Sequence, residues 1–269
     1  MVSSLLDSFT DWAGYRSPKN FIGIENYIEL FQDPVFYKAI VNDLIISGVK
    51  VVAITCLALF FAIALTRIGL RKAEVKIYRY LLYLPTVLPI VVITIVWRFI
   101  FNADGLVNST LATLQSANYM DFPAWLDQYP VAIISFVACW CGIGGSMIIL
   151  IAAINNVSKD LYEAAYMDGA GQWKQLWYVT IPCIKGQIAY VIITVISGSL
   201  AGNMNLVLPM TNGEPDNASI VMGLYVYKHG LDSIVRARVG YANAAAVILM
   251  IVSFIICYGF NRMMSKEAD

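Results

Sequence analysis

Charge is scarce in this chain of 269 residues. Asp, Glu, Lys and Arg make up 13% of it, against roughly 25% in soluble proteins. The 18 basic and 18 acidic side chains cancel, and the sequence pI lies near 6.6, so the basic surplus that nucleic-acid binding requires is missing. Histidine is rarer still: His229 is the only one. No His-Glu-x-x-His pattern exists to hold zinc, and no Gly-x-x-x-x-Gly-Lys-Ser/Thr loop exists to cradle a nucleotide phosphate. A metal ligand set and a cofactor are therefore not expected. The five cysteines, Cys56, Cys139, Cys141, Cys183 and Cys257, are odd in number and fit no common zinc spacing. They read as small buried hydrophobes, and Cys139 with Cys141 as a metal pair would lack partner ligands. Met1–Phe9 has no basic n-region and too short an apolar stretch for a signal peptide.

What the chain has instead is apolar length. Hydrophobic residues make up 59% and mean hydropathy is +0.68, too much for a water-soluble core of this size. Five runs are long enough to cross a bilayer, which takes about 20 apolar residues: Leu44–Thr66, Tyr80–Phe101, Val131–Ile154, Gln187–Pro209 and Ala242–Phe260. The first would rise about 34 Å as a helix. The expected fold is an all-α integral membrane protein with five visible transmembrane helices. The short links set the orientation. Arg67, Arg71, Lys72, Lys76 and Arg79 lie between spans one and two, and Lys159, Lys174 and Lys185 between spans three and four. Asn102–Pro130 carries no Lys or Arg, while Arg262 and Lys266 come after span five. The basic links belong in the cytoplasm, with the C-terminus. Lys228, Arg236 and Arg238 run against the rule, in a long link. The expected division is an extracytoplasmic N-terminal arm over 1–43, a transmembrane domain over 44–262 and a cytoplasmic tail over 263–269. An arm outside with no span before it predicts either that a sixth, N-terminal helix is absent from this sequence or that the short arm crosses unaided.

Several spans carry breaks or polar groups. Pro85 and Pro89 predict kinks in span two. Gly142, Gly144 and Gly145 in span three, and the Gly198/Gly202 pair in span four, suit close helix packing or a movable pore wall. Polar groups in lipid face a partner or a cavity. Asn42 and Asp43 open span one, and Asn203 and Asn205 close span four; they are candidates for a substrate path or for hydrogen bonds between helices. Lys50, two turns deeper, either snorkels or pairs with a carboxylate.

The link Asn155–Ile184 is the most informative stretch. Ser158 can cap a helix, with Asp160 in its first turn. The helix ends where glycine reads as a left-handed stop at Gly169-Ala170-Gly171. A second helix runs from Gln172 to Thr180, with Trp173, Leu176 and Trp177 on one apolar face. Ile181 and Pro182 then turn the chain toward span four. Such a helix pair can be a partner surface or can rest among lipid headgroups.

The run Glu163-Ala164-Ala165-x-x-Asp168-Gly169-Ala170, with Ile181-Pro182 after it, resembles the EAA motif of bacterial ABC-importer permeases. Ser8–Trp12, Phe21–Tyr27, Tyr83–Pro85, Trp97–Asn102, Met210–Pro215 and Gly240–Ala244 are similar to the maltose-type carbohydrate branch of that family. Asn212 and Glu214 stand where that branch is commonly richer in glycine. The resemblance implies a multi-pass permease of the bacterial cell membrane, acting in binding-protein-dependent sugar transport. Its EAA helix pair would be a cytoplasmic coupling element between spans three and four. Glu163, Ala164, Ala165, Asp168, Gly169, Ala170, Ile181 and Pro182 would dock it on an ATP-binding-cassette ATPase dimer. A bulky Asp at Gly169 is then expected to abolish transport. A second homologous permease chain and an extracytoplasmic solute-binding protein are the other implied partners. The chain itself would not be an enzyme. A secondary, ion-coupled transporter is the alternative, but it calls for buried carboxylates, and spans three to five contain none.

Overall fold

The computed structural model describes residues 2–14, 17–67, 71–232 and 237–266, so Arg236 and the end of the tail lie outside the described residues. Every regular element among the described residues is helical; one antiparallel bridge joins Thr10 to Phe21. In chain order these are α1 (Val2–Asp7), α2 (Glu25–Leu30), α3 (Pro34–Arg67), α4 (Lys72–Val87), α5 (Ile90–Phe101) and α6 (Leu106–Gln115). Then come α7 (Trp125–Gln128), α8 (Pro130–Asn155), α9 (Lys159–Met167), α10 (Gln172–Cys183), α11 (Lys185–Gly202), α12 (Met204–Met210), α13 (Met222–Tyr227) and α14 (Val239–Lys266). Pro34–Arg67, Ile90–Gln115, Pro130–Asn155 and Val239–Phe260 are long and apolar enough to cross a membrane. A fifth candidate is the bent pair Gln172–Cys183 and Lys185–Leu200, which turns through 65°.

Two expectations about the spans need correction. The first span begins at Pro34, ten residues before Leu44, because Asp33 Oδ1 accepts the Val35 N–H at 2.8 Å and proline suits the first helical position. Residues 80–101 are not one kinked span but two helices. Pro85 is tolerated inside α4, whereas Leu88 (φ −70°, ψ 143°) is extended before Pro89, which caps α5. The proline ring crowds the residue before it and drives that residue out of the helical region. The run Gln187–Pro209, by contrast, stays helical from α11 into α12 through Asn203 (φ −60°, ψ −32°), whose N–H donates to the Ser199 carbonyl at 3.0 Å.

The chain separates into two compact units. The first takes residues 1–48, 89–137 and 197–257. Its N-terminal arm is folded, not trailing. The Asn26 amide donates to the carbonyls of Ser8 (2.8 Å) and Thr10 (2.9 Å), and the Gly240 N–H donates to the Trp12 carbonyl at 2.8 Å. Tyr225 is fully buried; its hydroxyl donates to Asp33 and lies 2.7 Å from that of Tyr241. Phe36 packs edge-on against the Tyr225 ring, with 5.8 Å between centroids. Arg238 forms a two-pronged pair with Glu29, and those hydrogen bonds hold the Glu29 carboxyl below the usual carboxylate range. Three stretches that carry the family resemblance, Ser8–Trp12, Phe21–Tyr27 and Gly240–Ala244, thus meet in one place.

The second unit takes residues 49–88, 138–196 and 258–269. Its core is Ala58, Ala62 and Leu65 of α3 with Met147, Leu150, Ile151 and Ile154 of α8, closed by Ile184 and Val191. Here α4 comes against α8 at Gly144, where an added Cβ would lie 2.5 Å from the Leu82 carbonyl oxygen and 2.7 Å from the Tyr83 Cα. Thr86 donates beside it to the Cys141 carbonyl at 2.9 Å. Gly144→Ala must therefore force α4 off α8, at about 1–3 kcal/mol for overpacking. A lowered thermal midpoint of the purified chain is the expected result; an unchanged one would show the approach to be looser. Gly198 and Gly202, by contrast, have nothing among the described residues within 4 Å of an added Cβ, so the close approach expected there is not made by those residues. Two cysteines also depart from expectation: Cys56 and Cys183 are exposed, while Cys139 is buried.

Candidate functional site

The helix pair α9–α10 is built by local rules. Ser158 Oγ accepts the Asp160 N–H at 3.2 Å and starts α9. At its other end Gly169 adopts φ +77°. The Gly169 N–H donates to the Tyr166 carbonyl and the Ala170 N–H to the Ala165 carbonyl, both at 2.9 Å. This reciprocal pair is a Schellman cap. It satisfies the last carbonyls of α9 and sets the angle at which the chain leaves. Within α10, Leu176–Thr180 winds as a wide π-turn, and Pro182 comes next with no N–H to contribute to it. The backbone stays helical through Ile181 and Pro182, so the turn expected there falls one step later, where α10 and α11 meet at Ile184.

Tertiary contacts then lock the pair. Arg67, at the end of α3, donates from Nη2 to Thr180 Oγ1 at 2.8 Å. The same guanidinium lies 4.0 Å from the centroid of the Tyr162 ring, whose hydroxyl is 3.2 Å from Thr180 Oγ1. Thr180 Oγ1 contacts the Gln175 carbonyl at 3.3 Å, and the Gln175 amide donates to the Ala170 carbonyl at 3.0 Å. Thr180 and Gln175 are buried. Tyr162 of α9, Thr180 of α10 and Arg67 of α3 therefore form one clamp, and no sequence pattern connects residues 113 positions apart. Arg67→Ala removes a charge-assisted hydrogen bond of about 1.5–3 kcal/mol and a cation–π contact of about 0.5–2 kcal/mol. Uptake should fall roughly tenfold while the chain stays in the membrane, and Arg67→Lys should restore part of it. Equal loss in both variants would assign Arg67 another role.

What the clamp leaves outside is a large apolar surface. Tyr166, Met167, Trp173, Trp177 and Tyr178 are 61–84% exposed, so Trp173 and Trp177 do not anchor the pair to its own chain. Glu163, Ala164, Asp168, Gly169 and Pro182 are exposed as well, with Ala165, Ala170 and Ile181 half-buried beside them.

The second group of expected residues divides. Asn42, Asp43 and Asn203 are buried. Asn42 donates to the carbonyls of Ala218 (3.0 Å) and Ile220 (2.9 Å). Asp43 Oδ1 accepts from Asn203 Nδ2 and Oδ2 from the Met222 N–H, each at 2.8 Å. Ser47 and Ser199 contact the Asn203 side chain at 3.3 Å. These residues hold the segment 218–222 against α3 and α11. Asp43 is thus no edge residue: it is 2% exposed and sits one-third of the way along a longer helix. Asn205 alone of the four is exposed. Among the described residues, no group of three or more His, Cys, Asp or Glu side chains could hold a metal.

Comparison with known proteins gives this geometry its context. The family described as "Binding-protein-dependent transport system inner membrane component" matches residues 54–267. "Probable ABC transporter permease protein YurN" of Bacillus subtilis is 31% identical over 249 residues, covering 91% of this chain and 83% of that protein. "Diacetylchitobiose uptake system permease protein NgcF" of Streptomyces coelicolor is 30% identical over 257 residues, 91% of this chain and 71% of that one. Among solved structures, a chain of a bacterial ABC transporter importing alginate superposes with a TM-score of 0.84 at 24% identity, over 99% of this chain and 90% of the other. The alginate transporter in complex with its pentasaccharide-bound periplasmic protein gives 0.80 at 26%, over 90% and 82%.

Proposed function

Because the chain belongs to the family of inner membrane components of binding-protein-dependent transport systems, we propose that it is the permease subunit of an ATP-binding-cassette importer that carries a saccharide. The carrying observation is the α9–α10 knob. It is capped, clamped by Arg67 and rigid in its own chain, yet most of its aromatic surface is uncovered. Large uncovered apolar patches mark interaction surfaces. An ATPase dimer supplies the motor, since the sequence contains no phosphate loop of its own. A second permease chain and an extracytoplasmic binding protein complete the assembly. Sugar is favoured because relatives such as NgcF carry a sugar in their names.

In this reading Glu163, Ala164, Ala165, Asp168, Gly169 and Ala170 meet the ATPase. Ile181 and Pro182 set the route from the knob into α11. Nucleotide-driven closure of the ATPase moves the knob, and the clamp to α3 passes that motion to a membrane helix, a two-state element biased by a nucleotide. The knob, the basic links and the C-terminus face the cytoplasm by charge bias, while the arm before Pro34 lies outside. Asn205, exposed and polar, is the candidate for the substrate path; Asn42, Asp43 and Asn203 shape that path by holding the segment 218–222.

Two measurements test the proposal. A cysteine at Ala165 is expected to react with impermeant reagents only from the cytoplasmic side, and labelling of intact cells from outside would overturn the orientation. Glu163→Lys should weaken co-purification of the ATPase by about tenfold or more, since a misplaced charge at an interface costs over about 1.4 kcal/mol. An unchanged pull-down would remove Glu163 from the contact.

A further inference from the structure

One face of α4 has no partner that its chemistry asks for. Lys72, Val75, Lys76, Arg79, Tyr80 and Tyr83 recur at intervals of three and four residues and so share a side of the helix. With Ile148 of α8 they line an open groove of about 640 Å³. Three cations stand in it, and none makes an ion pair among the described residues. Glu74, the one carboxylate of α4, is engaged at the helix start, accepting the Arg71 N–H at 3.0 Å. Among the described residues the buried Nε of Arg79 has no hydrogen-bond partner, a costly arrangement for a guanidinium unless an acceptor enters the groove. Lys76 lies 5.9 Å from the Tyr80 ring centroid, so the aromatic neighbour supplies little compensation.

We propose that this groove binds the headgroup of an anionic phospholipid. The phosphate would lie among Lys72, Lys76 and Arg79, with the acyl chains running along Tyr83 and Ile148. The order of residues along the groove suits a lipid and not a soluble anion: the cations Lys72, Lys76 and Arg79 come first, with Val75 between them, and Tyr80 and Tyr83 follow, with the aliphatic Ile148 of α8 beside them. That is the gradient from headgroup to hydrocarbon that basic pockets between membrane helices present to anionic lipids. The inference needs only the membrane placement of the chain. Its failure would leave the importer reading, which rests on the knob, untouched.

The test uses the assembled transporter in nanodiscs of phosphatidylcholine with a minor share of phosphatidylglycerol, reading retained lipid by native mass spectrometry. Phosphatidylglycerol should be retained in preference, and Lys72→Gln, Lys76→Gln and Arg79→Gln should each lower that preference about fivefold. Lys72→Arg with Lys76→Arg should preserve it, and ATPase co-purification serves as the control for folding. Equal retention of both lipids by the wild-type assembly would overturn the proposal. So would displacement of phosphatidylglycerol by millimolar inorganic phosphate, which would make the groove a soluble-anion site. Preference seen in the isolated chain but lost in the assembly would mean that a partner chain covers the groove, and would overturn it equally.

Discussion

Gly169→Val is expected to abolish uptake while leaving the chain folded in the membrane. Gly169 holds φ +77°, and an added Cβ would meet nothing within 4 Å. The penalty is therefore in the backbone and not in crowding. A left-handed conformation costs an ordinary L-residue about 1–2 kcal/mol and is worst for a β-branched one. The cheapest relief is to leave that conformation, which breaks the hydrogen bonds from Gly169 to Tyr166 and from Ala170 to Ala165. The loss of that cap re-aims α10 while the transmembrane packing stays as it was. The same geometry changes the expectation for Gly169→Asp. Crowding within the chain is not its mechanism, since an added Cβ meets nothing there among the described residues, and Asp tolerates the left-handed region better than most residues. What remains is a bulky negative charge added beside Asp168 on the docking surface. Asn has neither fault, so Gly169→Asn should keep most of the wild-type rate, Asp less and Val none, measured as solute uptake normalised to membrane-inserted protein. Equal loss in Asn and Val would show that the left-handed turn is not what the glycine provides.

Asp43→Ala should produce the largest loss of stability of any polar substitution in the chain. The carboxylate is buried and accepts hydrogen bonds from Asn203 Nδ2 and from the Met222 N–H. Hydrogen bonds to a charged group are worth about 1.5–3 kcal/mol each, and removing the acceptor strands buried donors besides. The loss is thus on the order of 3–6 kcal/mol, set against total stabilities of roughly 5–15 kcal/mol. The purified variant should show a strongly lowered unfolding midpoint and poor accumulation in the membrane. Asp43→Asn keeps the shape but turns an N–H₂ toward one of two donors, and should fall between. Asn205→Ala is the matched control. Asn205 is exposed, so stability should hold while uptake drops if it lines the path. Normal stability of Asp43→Ala would show that water or another group replaces the carboxylate.

The contrast between Asp43 and Asn205 shows where sequence reading runs out. Asn42, Asp43, Asn203 and Asn205 look alike in sequence: each is a polar residue at the edge of an apolar run. Which of them are consumed inside the fold depends on the course of the segment 218–222, and that course depends on left-handed turns at Asn212, Asp216 and Asn217. The two aromatics Trp173 and Trp177 are ambiguous for a similar reason. Helical periodicity puts them on one face, but it does not say whether that face looks inward or outward.

The sequence by itself determined the environment, the places of most of the long apolar helices and the position of the α9–α10 elbow. These depend on composition, run length and capping residues within a few positions of one another, so local physics is enough. Only the tertiary structure decided that Arg67 clamps Thr180 and Tyr162, that Asp43 supports the segment 218–222, and that the cationic face of α4 lies open. Each of those depends on contacts between residues far apart in the chain or on the net packing of a helix face. A pairing of that kind exists only once the helices have met, and no periodicity along the chain encodes which faces meet.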